Sequence, residues 1–128
     1  MVAITALYAA PLAILFLWLS IRVIGTRRSE LIGLGDGGNK SLMKRMRAQA
    51  NCAEYVPIGI VVLALVELQG GPALLVHALG ATLLIGRLLH GWGFSASPPN
   101  MMGRQVGMLM TLTSIAGSAV SSFILALT

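Results

Sequence analysis

The sequence predicts an all-α membrane protein, a four-transmembrane-helix bundle with both termini outside the cytoplasm, on three observations. Of its 128 residues, 56% are hydrophobic and only 10% charged, against about 25% charged in a soluble domain, and the mean hydropathy is +0.85. The apolar residues gather into four runs, each close to the roughly 20 residues a helix needs to cross a hydrocarbon core. All nine Lys and Arg flank the first and third connections between these runs. A net charge of +5 would suggest nucleic acid as the partner of a soluble protein. In so apolar a chain that reading is excluded, and no nucleic-acid partner is expected.

Each element follows from local composition, and residues 1–128 read as one four-helix membrane domain. Helix 1 is expected over residues 2–24, because Val2 to Ile21 carries no charge and holds Pro11 and Trp18, both tolerated in membrane helices. A cleaved signal peptide is positive before its apolar run. Here the first charge, Arg22, comes after it, so helix 1 is expected to stay in the mature protein. Helix 2 is expected over 43–67, where Ala48 to Val66 holds a single charge, Glu54, and Gln69-Gly70-Gly71 supplies a turn. Pro72 suits the first position of a helix, which opens helix 3 over 72–92 with Arg87 and His90 in its last turns. Phe94 to Asn100 reads as loop from its Ser and Pro content. Helix 4, over 103–127, is uncharged after Arg104.

Arg22, Arg27, Arg28, Lys40, Lys44, Arg45 and Arg47 flank the first connection, and Arg87 and Arg104 flank the third, whereas the second has only Glu67. The positive-inside rule then places connections 1 and 3 in the cytoplasm. Most of the basic excess is thus a topology signal that also meets lipid headgroups. Cys52 is the lone cysteine and reads as a small apolar packer in helix 2. Gly33, Gly35 and Gly38 satisfy G-x-G-x-x-G by letter, but no strand precedes them, so a flexible turn is expected rather than a dinucleotide site. Gly103 and Gly107, continued by Ser114, Gly117, Ser118 and Ser121, make a small-residue face suited to close helix packing. His77 reads as a packed or interfacial histidine, and no spacing resembles a metal site.

Ionisable residues inside spans are costly and point to function. Arg47, Asn51 and Glu54 are spaced i, i+4, i+7, which puts them on one face of helix 2. Pro57 follows three residues later, and its ring frees the carbonyl of Ala53 from the helical ladder. Arg87, His90 and Phe94 form a matching stripe on helix 3, which descends towards the start of helix 2. A Glu54–Arg87 ion pair gluing the helices is the structural alternative. It would leave Arg47, Asn51 and His90 unexplained, and together these groups suit a small zwitterionic ligand. Arg104 stands at the start of helix 4, where the positive end of the macrodipole adds to its own charge. There it can favour an anion such as a thiolate, although a simple positive-inside anchor is the plainer reading.

The block Arg47-Ala48-Gln49-Ala50-Asn51-Cys52-Ala53-Glu54-Tyr55-Val56-Pro57 resembles the helix 2 signature of the MAPEG family, the membrane-associated proteins in eicosanoid and glutathione metabolism. The loop Gly35-Asp36-Gly37-Gly38 and the run Gly86 to Phe94 are similar to its bacterial inner-membrane branch. The resemblance implies a homotrimer of four-helix bundles in the inner membrane, with glutathione as cosubstrate bound between subunits near the cytoplasmic face. It implies that Arg47, Asn51, Glu54 and Tyr55 hold the tripeptide with Arg87 and His90 lining its pocket, and that Arg104 is the catalytic arginine of thiolate activation. Phe94 stands where relatives in the family have a tyrosine, which removes one hydroxyl contact.

The first expectation is therefore a glutathione-binding transferase or peroxidase that joins a cytoplasmic thiol to a lipophilic small-molecule substrate dissolved among membrane lipids, without a metal. A second is a non-catalytic lipid-binding or scaffold protein of the same fold, since the family includes a member of that kind. A small multidrug transporter shares the helix number and an intramembrane Glu, but such transporters lack a strong charge bias.

Overall fold

The computed structural model describes residues 1–128, all helical apart from the connections, in the order α1 (Ala3–Ser29), α2 (Lys40–Leu68), α3 (Ala73–Ser95) and α4 (Met101–Leu127). Each is long and apolar enough to cross a membrane. The helices overrun the apolar runs at the end that carries the basic residues, here called the basic end. Helix α1 continues five residues past residue 24, placing Arg27 and Arg28 in its last turn, where cations meet the negative pole of the helix. Helices α2 and α4 start earlier than apolarity suggests because asparagine caps precede them. The Asn39 side chain accepts from the Leu42 N–H at 3.0 Å, and that of Asn100 accepts from the Gly103 N–H at 2.8 Å, each satisfying an orphan donor of the first turn. Phe94 and Ser95 belong to α3 rather than to the loop.

The opposite end is tied by a turn and a clasp. After α2, Gly70 takes φ +77°, the Gly71 N–H reaches the Val66 carbonyl at 2.9 Å and the Gly70 N–H reaches that of Glu67 at 3.1 Å. These two bonds make a Schellman ending, which needs a residue tolerant of left-handed backbone. Helix α1 has no side-chain cap of its own. Instead the Glu67 carboxylate, at the end of α2, accepts from the Ile4 N–H at 2.9 Å, the Thr5 N–H at 2.7 Å and the Thr5 hydroxyl at 2.7 Å. An anion on free N–H groups at the positive pole of α1 is favourable twice over. Beside this clasp the Tyr8 hydroxyl and His77 Nδ1 share a hydrogen bond of 2.9 Å.

Helices α2 and α3 touch each other and both outer helices, while α1 and α4 do not meet. The inner layer is apolar: Leu12, Leu15 and Leu19 of α1 pack on Ala48, Cys52 and Val56 of α2 and on Leu83, so Cys52 is indeed a buried packer. A second cluster, Leu63, Val66 and Val76, lies under the clasp. Helix α4 presents Gly103, Gly107, Thr111, Ser114 and Ser118 inwards. A Cβ on Gly107 would lie 2.5 Å from both the Gly86 carbonyl oxygen and the His90 nitrogen, so only glycine permits this backbone approach of α3 and α4. Outside, large apolar side chains such as Ile14, Leu74, Leu109 and Phe123 are more than half exposed. Such a surface belongs in lipid or against other apolar faces.

Candidate functional site at the basic end

Residues of both polar stripes come together with the arginine of α4. Arg47 and Asn51 of α2, His90 of α3 and Arg104 of α4 line one cavity of about 380 Å³ with Phe94, Met101, Gln105 and Met108. Asn51 is brought there by its helical spacing from Arg47, and His90 by the antiparallel descent of α3. Arg104 arrives because the glycine contacts hold α4 hard against α3. Its Cζ stacks 3.8 Å from the centre of the Phe94 ring, within the range of a cation–π contact, and its Nε is buried without a partner.

Arg87 lies behind the cavity rather than in its wall. It is 1% exposed, donating from Nη2 to Asn51 Oδ1 at 2.7 Å and towards His90 Nδ1 at 3.3 Å, with Nη1 4.0 Å from the Met108 sulfur. The arrangement fixes the polarity of its neighbours. Guanidinium has only donors, so His90 Nδ1 must accept, and the imidazole is left to donate from Nε2. Asn51, with its oxygen engaged, offers its NH₂ group. The Phe94 ring meets the His90 imidazole edge-on at 5.1 Å, limiting its rotation. The polar lining nearest Arg87 is thereby set to donate towards a ligand, next to the cations of Arg47 and Arg104.

Besides Arg87, two further expected residues stand outside the cavity. Glu54 is exposed on α2 and outside the cavity lining, and Arg87 takes Asn51, His90 and Met108 as its partners, so the Glu54–Arg87 ion pair does not form. Glu54 shares a helical face with Arg47 and Asn51, yet only those two line the cavity. Tyr55 is half-buried with its ring centre 6.0 Å from the Arg87 Cζ and does not line the cavity. Conversely, Met101, Gln105 and Met108 were not singled out from sequence. Met101 and Met108 sit three residues before and four after Arg104, which is the spacing of one helical face, but Met101 falls before the expected start of helix 4 at residue 103.

A four-helix integral membrane protein with a donor-lined cavity among α2, α3 and α4 is the class these features define. The chain belongs to the MAPEG family, whose family model matches residues 5–124. It is similar to the inner membrane protein YecN of Escherichia coli strains K12 and O6:H1, 38% identical over 91 residues that cover 71% of this chain and 70% of YecN. It is also similar to the uncharacterized Synechocystis protein sll1147, 29% identical over 119 residues, 91% of this chain and 85% of that protein. With four apolar spans, this family and an inner-membrane relative, the chain is a multi-pass protein of the bacterial inner membrane.

Proposed function

We propose that the protein binds glutathione at the basic end and conjugates it to, or uses it to reduce, lipophilic electrophiles taken from the bilayer. The observation that carries this reading is the cavity lined by donors and cations, Arg47, Asn51, His90 and Arg104, which contains no carboxylate. Such a lining suits the two carboxylates and the thiolate of the tripeptide. Arg47 would pair a carboxylate, Asn51 and His90 would donate to carboxylate or amide oxygens, and Arg104 would hold the sulfur as thiolate. Bound glutathione would supply the nucleophilic sulfur: its thiol proton goes to water, sulfur bonds to the electrophilic carbon, and that carbon's bond to its leaving group breaks with the electron pair departing on that group. In peroxide reduction the O–O bond breaks instead, and a second glutathione completes a disulfide as alcohol and water form. Arg104 lies in the first turn of α4, four residues after its Asn100 cap, so the helix pole adds to its charge where the anion would sit. An apolar cleft of about 450 Å³ between α1 and α2, lined by Ala13, Phe16, Val56 and Ile60 among others, would hold a lipophilic electrophile taken from lipid.

The ligand's ammonium needs a carboxylate, and Glu54 is the one at this level of the bundle. Its exposed position among Ile58, Val61 and Leu65 suits delivery to the cavity of a neighbouring copy, which supports a homotrimer with sites between subunits. The cytoplasmic placement of the basic end follows from the charge bias. Calorimetric titration of glutathione into the detergent-purified protein tests the proposal. Saturable heat that is lost in Asn51→Ala and in Glu54→Ala is expected, and no heat at millimolar glutathione would overturn it. The apolar cleft also favours a second reading, lipid binding without catalysis. Conjugation of a generic electrophile that depends on Arg104 separates the two.

A further inference from the structure

A second polar pocket, of about 340 Å³, opens at the basic end on the α1 side and includes Arg22, Lys44, Arg45 and Ser95. Its cations have no acidic partner. Of the four acidic side chains in the chain, Glu67 clasps α1 at the far end, Asp36 accepts from the Gly38 N–H in its own loop, and neither Glu30 nor Glu54 lines the pocket. Arg22 donates instead to the Ser95 hydroxyl, and Arg45 to the Thr26 hydroxyl at 2.5 Å. Ser95 also ends an apolar groove of about 450 Å³ between α1 and α3, floored by Ile14, Leu15 and Leu88 and flanked by Trp18 and Trp92. Pocket and groove therefore form one surface, apolar along the helices and basic at its end. Both tryptophans are about half exposed, as suits rings at the headgroup level, and the Arg22 Cζ lies 4.7 Å from the Trp18 ring centre.

We infer that this surface binds an anionic phospholipid, with the phosphate among Arg22, Lys44 and Arg45 and an acyl chain in the α1–α3 groove. Zwitterionic headgroups are disfavoured because their ammonium would meet three cations and no acid. The site shares none of Arg47, Asn51, His90 and Arg104, so it stands whether or not the glutathione reading does. Native mass spectrometry of the detergent-purified full chain, with phosphatidylglycerol or phosphatidylcholine added, provides the test. Phosphatidylglycerol should be retained in preference. Lys44→Ala, at an exposed position, should weaken retention about fivefold, the worth of one cation near an anionic lipid. Leu88→Trp, which fills the groove at a half-exposed residue, should also weaken it with all three cations intact, and millimolar inorganic phosphate should not displace the lipid. Equal retention of the two lipids, or no effect of Lys44→Ala, would overturn the assignment. So would displacement by phosphate together with an inert Leu88→Trp, which would mark a free-phosphate site.

Discussion

Arg87 is a full positive charge sealed inside the bundle with amide, imidazole and thioether partners and no counter-ion, its Nε without any partner. Breaking a buried charge's hydrogen bonds costs more than removing charge and partner together. Asn51→Leu should therefore destabilise the protein by about 1.5–3 kcal/mol, and Arg87→Met by less, since it leaves behind neutral groups that line a cavity rather than an unpaired charge. In the Arg87→Met background most of the Asn51→Leu penalty should vanish, a coupling that thermal unfolding of the four variants in detergent would measure. Arg87→Met should still weaken ligand binding, because it frees His90 and Asn51 to turn the wrong way. Glu67 is the other residue whose contacts concentrate on one group. Glu67→Ala strips two backbone donors and a hydroxyl of their acceptor and should lower stability by about 1 kcal/mol, the usual worth of a helix cap, seen as a lower melting temperature.

The helices themselves were legible in the sequence because a membrane span announces itself by length and apolarity, which these four runs satisfy. Their ends were less so: apolarity marks where hydrocarbon begins, while Asn39, Asn100 and the Arg27-Arg28 pair decide where backbone bonds stop. For the site, periodicity could say that Arg47, Asn51 and Glu54 share a face but not which neighbours each member meets: Asn51 takes Arg87 and lines the cavity, whereas Glu54 is exposed outside it. The glycines of α4 illustrate the same limit, since G-x-x-x-G foretells a close approach without ranking its members. At Gly107 an added Cβ meets the α3 backbone, which cannot yield; at Gly103 it meets the Trp92 ring at 3.0 Å, and that ring is half exposed and can swing. Gly107→Ala should thus cost about 1–3 kcal/mol as an overpacking change, and Gly103→Ala clearly less, compared by thermal unfolding.

At the scale of the whole molecule, two of the three connections share one end of the bundle with nearly all the charge. If the basic end faces the cytoplasm, then in a Cys52→Ala background Gln69→Cys should react with a membrane-impermeant maleimide in intact cells, and Asp36→Cys only after lysis. The reverse pattern would invert the bundle. Each sequence-adjacent helix pair also has its own tie: α1 with α2 by the Glu67 clasp, and α3 with α4 by glycine packing, while α1 and α4 do not touch. Biogenesis can exploit these ties. A nascent chain that has threaded only its first two spans already holds both sides of the clasp, Ile4 and Thr5 of α1 and Glu67 of α2, so the clasp can close without α3 or α4. The cavity among α2, α3 and α4 then comes into being last, when the second hairpin docks.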